Sequence, residues 1–368
     1  MALLWSGEPY CHFVGALMHL SRLANACLAM VIAFTGVTVT PAAAARVETP
    51  EWLTCPNSLT LDLRPDRARE PARVREIAPT AGAKISAELY SHARHARIGY
   101  ELYEAFDAGQ DPRQAFTSSN LKLVTLIYGD PGPNTERGPR PPGRTRTLYG
   151  FVADERATGR RYIVFRGTQQ PAEWVRNVQA GQRPYPSGTP ASTATAHVHA
   201  GFLQIFESLQ LDSGAGAIAF SPELRNLVAG RDTVFVGHSL GSALATLAGV
   251  EASRRSPQSA ARLRIVTLAS PRVGDEGFAT LARAVGRIDR VCNLVDVVTA
   301  VPPSTRQLSY VHVGTPYRIS SFDWPALTNN LDRAGDQILC WHGDQSYAFM
   351  LQPAQALREP EGCFSSAR

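Results

Sequence analysis

The amino-acid sequence predicts an α/β fold, with a mostly parallel central sheet and helices on both faces. Three observations carry that expectation. Residues 233–236 form an apolar, β-branched run that breaks at Gly237 and becomes, from Ser242 onward, a small-residue helical pattern. Residues 262–270 form a second run of the buried-strand type, and residues 290–298 a third strand. A helical segment at 278–285 lies between those two, so strands and helices alternate as parallel sheets require. With 368 residues, 44% of them apolar, the chain suits one large globular domain or at most two.

The first 45 residues stand apart. Arg22 precedes an apolar segment, residues 24–40, that carries no charge, and Pro41-Ala-Ala-Ala-Ala45 follows. This is the pattern of a secretory signal peptide cleaved near Ala44 or Ala45, and it predicts a secreted or periplasmic protein. Met18 is an alternative start that would bring the segment closer to the N-terminus. The alternative localisation is membrane anchoring, since the run approaches spanning length. The expected organisation is therefore a signal peptide over 1–45, then an arm, a helix and a Pro/Gly/Arg loop over 46–147. The catalytic domain follows over 148–368.

Cleavage leaves Cys55, Cys292, Cys340 and Cys363. None has metal-ligand spacing, and an even number in an exported chain points to two disulfides. The net charge of +5 (37 Lys+Arg against 32 Asp+Glu) comes from scattered arginines rather than a basic stripe. Nucleic acid is not an expected partner, although a mildly basic surface favours anionic interfaces.

From residue 46 the elements read in order. Residues 46–80 are Pro- and Arg-rich, an extended arm. Apolar residues at three- and four-residue steps predict a helix over 83–108, ending before Gly109, with its Tyr and His side chains in packing roles. Residues 121–128 read as a strand and 129–143 as a surface loop. Residues 148–153 and 161–165 read as adjacent strands around a loop closing through Thr158-Gly159. Residues 169–178 form a short amphipathic helix with Trp174, Val175 and Val178 on one side, a candidate lid over a substrate site. Residues 197–206 begin an amphipathic helix, another covers 221–229, and 307–313 is strand-like.

The chemistry centres on Gly237-His-Ser-Leu-Gly241. A strand, a Gly-x-Ser-x-Gly turn and an Ala-rich helix form a nucleophile elbow, which lifts the Ser239 hydroxyl clear of the backbone at a helix N-terminus. A Cβ at Gly237 or Gly241 would collide with neighbouring chain in so sharp a turn. A serine nucleophile needs a base, an orienting acid and oxyanion donors. The amide of Leu240, directly after the nucleophile, is one expected donor. Thr168, where strand 161–165 runs into Arg166-Gly-Thr168, offers an amide and a hydroxyl for the other. The candidate acids are Asp296, before the Val301-Pro-Pro303 turn, and Asp275, closer to a Pro/Gly turn that it is expected to stabilise. Asp296 is favoured. The candidate bases after the nucleophile are His312 and His342. His342 is favoured because a loop before a closing helix lets it reach both partners. His197 and His199 precede Ser239, against the Ser–acid–His order of α/β-hydrolases, and His199 is expected to be structural.

With these residues assembled, the chain resembles the class 3 lipases over roughly residues 148–350. The resemblance rests on Val164-Phe-Arg-Gly-Thr168; Trp174 with Asn177; Val198-His-Ala-Gly-Phe202; Gly237-His-Ser-Leu-Gly241; and Leu268-Ala-Ser-Pro-Arg-Val-Gly-Asp275. It continues through Asn293 to Asp296 with Val301-Pro-Pro303, Tyr310-Val-His-Val-Gly314, and His342 with Tyr347. It implies an α/β-hydrolase fold with a short helical lid, a Ser239–Asp296–His342 triad, a Thr168 and Leu240 oxyanion hole, and a lid at 169–178. The implied activity is hydrolysis of lipid esters, foremost acylglycerols, with no metal or cofactor. The substrate would be met at an interface, with transient contact to a membrane or lipid droplet. An esterase on soluble or feruloyl-type esters, a phospholipase, and an inactive binding module are the alternatives. Asp296 and His342 must meet, so their neighbours Cys292 and Cys340 are the favoured disulfide, leaving Cys55–Cys363 to tie the ends of the domain.

Overall fold

The computed structural model of the protein describes residues 59–60, 79–130, 146–168, 181–186, 194–305, 307–321, 327 and 340–352. The signal segment, the candidate lid at 169–178, most of the 129–143 loop, Cys55 and Cys363 lie outside the described residues. Among the described residues no helix is long and apolar enough to cross a membrane.

The strands are β1 (Leu59–Thr60), β2 (Leu121–Gly129), β3 (Thr147–Glu155), β4 (Arg161–Phe165), β5 (Gln182–Pro184), β6 (His197–His199), β7 (Gln210–Asp212), β8 (Ala217–Ala219), β9 (Thr233–His238), β10 (Leu263–Leu268), β11 (Arg287–Asn293) and β12 (Thr315–Ile319). Ten form one sheet in the order β1-β12-β11-β10-β9-β4-β3-β2-β7-β8, and β5 and β6 form a separate pair. From β1 to β4 every neighbour is parallel; beyond β4 the sheet continues antiparallel. The expectation of a mostly parallel sheet with helices on both faces holds. It follows from buried strands joined through helices rather than tight turns.

Side-chain alternation along the strands divides the core into two layers. Val234, Val236, Val266, Leu268 and Val291 face one layer, where the helix α1 (Pro79–Asp107) covers the sheet. Ile163, Phe165, Phe235, Ile265 and Ile288 face the other, under α2 (Ala200–Ser208), α3 (Phe220–Val228) and α4 (Leu240–Arg255). Each such side chain, fully buried, contributes roughly 1.5–3 kcal/mol. All residues of α4 from Leu240 to Ser253 are buried. Its small Ala, Gly and Ser residues let a helix buried on every side sit close against β9 and β10.

Several sequence expectations differ from the fold. Residues 197–199 form β6 and the helix expected there begins at Ala200, while His342 ends the helical residues 340–342 rather than lying in a loop. The strand expected over 290–298 stops at Asn293, and Asp296 caps a 3-10 turn, Val297–Ala300. There the Asp296 side chain accepts the Val298 N–H and the Thr299 hydroxyl donates to the Asp296 carbonyl. These local bonds outcompete the strand preference of the valines. Residues 307–313 form a loop rather than a strand, closed by two bonds between Ser304 and Tyr310. The strand falls just after it, at β12, following the positive-φ Gly314.

Candidate active site

β9 runs directly into Ser239, which has φ 57° and ψ −127°, and α4 begins at the next residue. A non-glycine residue with positive φ outside the helical region is costly unless its surroundings over-determine it. Here they do. The Ser239 N–H donates to Leu268 O at 2.9 Å and its carbonyl accepts the Ser242 N–H at 2.9 Å. The Ser242 hydroxyl shares its proton between the Gly237 and Leu268 carbonyls, both at 2.8 Å, and accepts the Leu268 N–H at 3.2 Å. A Cβ on Gly237 would run into the Gly241 carbonyl, and one on Gly241 into the carbonyls of Phe165 and Arg166. The turn therefore requires glycine at both ends, and it packs tightly on the segment leading to Thr168.

Three side chains from distant parts of the sequence meet at this turn. His342 Nε2 lies 2.7 Å from Ser239 Oγ, and His342 Nδ1 lies 3.0 and 2.9 Å from the two Asp296 oxygens. A carboxylate only accepts, so Nδ1 carries the proton and Nε2 is left free to take one from the serine hydroxyl. Ser239 and His342 expose no surface and Asp296 only 1%, so the line of bonds runs through a dry interior. There electrostatic interactions are strong.

Asp296 has two further donors. Tyr347, on the closing helix α5 (Asp344–Leu351), donates its hydroxyl to Oδ2 at 2.8 Å, and Val298 N–H donates to Oδ1 at 3.0 Å. The Tyr347 hydroxyl also accepts the Asn293 N–H at 2.9 Å. Burial, and then the neighbouring Asp296 carboxylate, hold that phenol well above its ordinary value, so it remains a donor. The Asn293 amide grips both sides of the site, donating to Trp341 O at 2.9 Å and to Ser321 Oγ at 2.7 Å while accepting the Ser321 N–H. The helical residues 340–342, which end on His342, are thereby tied to the strand that leads into the acid.

The remaining candidates sort out by position. Asp275 accepts the N–H groups of Phe278 and His197 and meets His197 Nδ1 at 3.0 Å, capping a helix away from Ser239. His199 caps α2 by accepting the Phe202 N–H. His312 donates from Nε2 to Thr299 O at 2.8 Å, bracing the turn behind Asp296. Thr168 is buried at the end of the β4 extension, and Leu240 opens α4 directly after Ser239. Trp174, Val175 and Val178 lie outside the described residues. Sequence reasoning missed the Ser242 hydroxyl, which has no motif of its own; a serine one turn into the elbow helix, among alanines, was its only signal.

The arrangement supplies a hydroxyl in contact with a neutral imidazole base and a carboxylate to stabilise the imidazolium. That equipment suits acyl transfer through a covalent serine ester. The sequence profile of the Lipase (class 3) family matches residues 162–306. The protein named Phospholipase A1-II 6, from Oryza sativa subsp. japonica, is 30% identical over 332 residues, which are 81% of this chain and 77% of that protein. A lipase from Rhizopus oryzae is 31% identical over 165 residues, 44% of this chain and 38% of that protein. The solved lipase from Rhizopus microsporus var. chinensis aligns with a TM-score of 0.48 at 23% identity, over 72% of this chain and 83% of that one. On the extent of its likeness to the rice protein and the profile match around Ser239, the chain belongs to the class 3 lipase family, hydrolases of lipid esters.

Proposed function

We propose that the protein is an exported lipase that hydrolyses acylglycerol esters through an acyl-enzyme on Ser239. The observation that carries this reading is the continuous line from Ser239 Oγ through His342 to Asp296, with contacts of 2.7 to 3.0 Å. His342 Nε2 takes the Ser239 proton as Oγ attacks the ester carbonyl, and Asp296 stabilises the imidazolium. The amides of Thr168 and Leu240, with the Thr168 hydroxyl, hold the tetrahedral oxyanion. Collapse breaks the ester bond, and His342 returns its proton to the departing glycerol oxygen. Water then attacks the acyl-enzyme by the same route, giving the fatty acid and free Ser239.

Three further features belong to this reading. The complete burial of Ser239 supports a cover that must open, and residues 169–178, with Trp174, Val175 and Val178, are its candidate. The apolar segment at 24–40 and the alanines after it support export. Cys292, on the strand before Asp296, and Cys340, on the helical residues that end at His342, are both buried, which supports a disulfide between them. A second reading has the same chemistry act on phospholipids, favoured by the name of the rice relative, which shares more of its length than the fungal lipase does.

The test compares wild type and Ser239→Ala on p-nitrophenyl esters of increasing chain length, below and above their solubility limits. Triacylglycerol emulsions and phosphatidylcholine vesicles are assayed alongside. The lipase reading expects Ser239-dependent release that rises once long-chain substrate forms an interface, with triacylglycerol preferred. Preference for phosphatidylcholine selects the second reading, and activity confined to short soluble esters overturns both.

A further inference from the structure

The long helix α1 precedes the family-matched region, yet its side chains reach the oxyanion segment. Gly99 brings the helix against Arg166, since a Cβ there would lie 3.5 Å from Arg166 Cβ. One turn further, Tyr103 places its ring 3.6 Å from the Arg166 guanidinium, a stacked cation–π contact. Arg166 is fully buried and donates from Nη1 to the carbonyl of Gly167 at 2.8 Å, from Nε to Leu148 O and from Nη2 to Thr147 Oγ1. The Gly167 carbonyl and the Thr168 N–H belong to one planar trans peptide and point in opposite directions. Holding that carbonyl therefore aims the Thr168 amide.

Tyr100 continues the connection. Its hydroxyl accepts the Gly167 N–H at 3.0 Å and meets His238 Nδ1 at 2.8 Å, while His238 Nε2 meets the carbonyl of His342 at 2.8 Å. The polarity of this chain is fixed by its ends. A carbonyl only accepts, so His238 Nε2 carries the ring proton, Nδ1 accepts, and the Tyr100 hydroxyl donates to it. Burial, with His342 nearby, holds the His238 imidazole well below its usual value, and burial holds the Tyr100 phenol above its own. Both stay neutral at working pH.

We infer that Tyr100 and His238 are positioning residues that fix the Arg166–Gly167 peptide, next to the one Arg166 holds to aim the Thr168 amide, and the His342 backbone relative to Ser239, so that α1 braces both the oxyanion segment and the base. Neither touches substrate. The inference rests on the ester-hydrolase reading, because it assigns what holds that site in register. Misplacing a donor or base by a fraction of an ångström costs rate while leaving substrate binding intact.

The test measures kcat per active site, counted by stoichiometric phosphonate titration, on a soluble short-chain p-nitrophenyl ester. Tyr100→Phe keeps the ring and removes the hydroxyl. The expected result is a fall in kcat per titrated site of roughly tenfold to a hundredfold, with KM changed less than about threefold. His238→Gln keeps an N–H for the His342 carbonyl and is expected to retain more kcat than His238→Leu, which keeps none. If Tyr100→Phe does not fold, that pair decides the matter. Unchanged kcat per site in Tyr100→Phe, or a loss seen only as fewer titratable sites, overturns the inference. So does equal kcat in the two His238 variants. A wild type without Ser239-dependent activity overturns the hydrolase reading itself, and the inference with it.

Discussion

Replacing Tyr347 with Phe removes one oxygen atom from a fully buried position beside the acid. In the wild type that oxygen donates to Asp296 Oδ2 at 2.8 Å and accepts the Asn293 N–H at 2.9 Å. The ring itself, packed in the core layer under α1, is unchanged. A hydrogen bond to a charged group contributes about 1.5–3 kcal/mol, and a buried amide left without a partner costs about 1–3 kcal/mol. Partial relaxation makes the two less than additive, so the variant is expected to lose about 2–4 kcal/mol. In a domain of this size that lowers Tm by roughly 3–6 °C. Activity falls for a separate reason. With one of its three donors gone, the carboxylate is less firmly oriented toward His342 Nδ1, and kcat/KM is expected to drop about tenfold. The assay pairs calorimetry with initial rates on a short soluble ester, which needs no lipid interface. A Tm within 2 °C of wild type together with kcat/KM within twofold would refute the reasoning.

Two other consequences are as direct. Thr168→Val keeps the backbone amide and the branched shape but loses the hydroxyl; if that hydroxyl is an oxyanion donor, kcat should fall roughly a hundredfold or more with KM little changed, and a loss below threefold would leave only the amide in that role. His95 on α1, stacked edge-on against Tyr162 at 4.4 Å, is held by burial down to about 4, against 6.5 for a free imidazole. The unfolded chain then binds more protons between pH 6.5 and 4, so stability is full above 6.5 and declines as pH falls through that window, by about 3 kcal/mol for this group. The buried His92 beside it adds to the same trend. Urea midpoints for wild type and His95→Phe at pH 4 to 7 check this: the variant should show the shallower decline, and identical slopes would count against it.

The parts of the molecule legible in the sequence were those with local signatures. The β9 run, the glycine-flanked turn and the small-residue α4 are contiguous, and each follows from backbone sterics and packing that act over a few residues. Chain order favours Asp296 and His342, which the fold brings to Ser239, although the strand before Asp296 ends earlier than its valines suggest and His342 ends a helical turn rather than lying in a loop. Val297 and Val298 have strand propensity, but their backbone is captured by the acid's own side chain. The short strands β5, β7 and β8 have only three residues each, too few for periodicity to register. The bracing network was beyond reach for another reason. Tyr100 and His238 are 138 positions apart, and Asn293 and Tyr347 are 54. Nothing in either local sequence announces a partner that only the folded sheet brings near. Tyr100 accordingly read as one packing aromatic of an amphipathic helix.

The proposed chemistry turns on Ser239 acting as the nucleophile, activated by His342. Its most direct test is labelling with a fluorophosphonate ester, followed by peptide mass spectrometry and timed in wild type, Ser239→Ala and His342→Ala. A single adduct is expected on the peptide containing Ser239, absent in Ser239→Ala and formed at least a hundredfold more slowly in His342→Ala. Ester hydrolysis by wild type with no adduct on Ser239, or labelling that proceeds equally fast without His342, would contradict it.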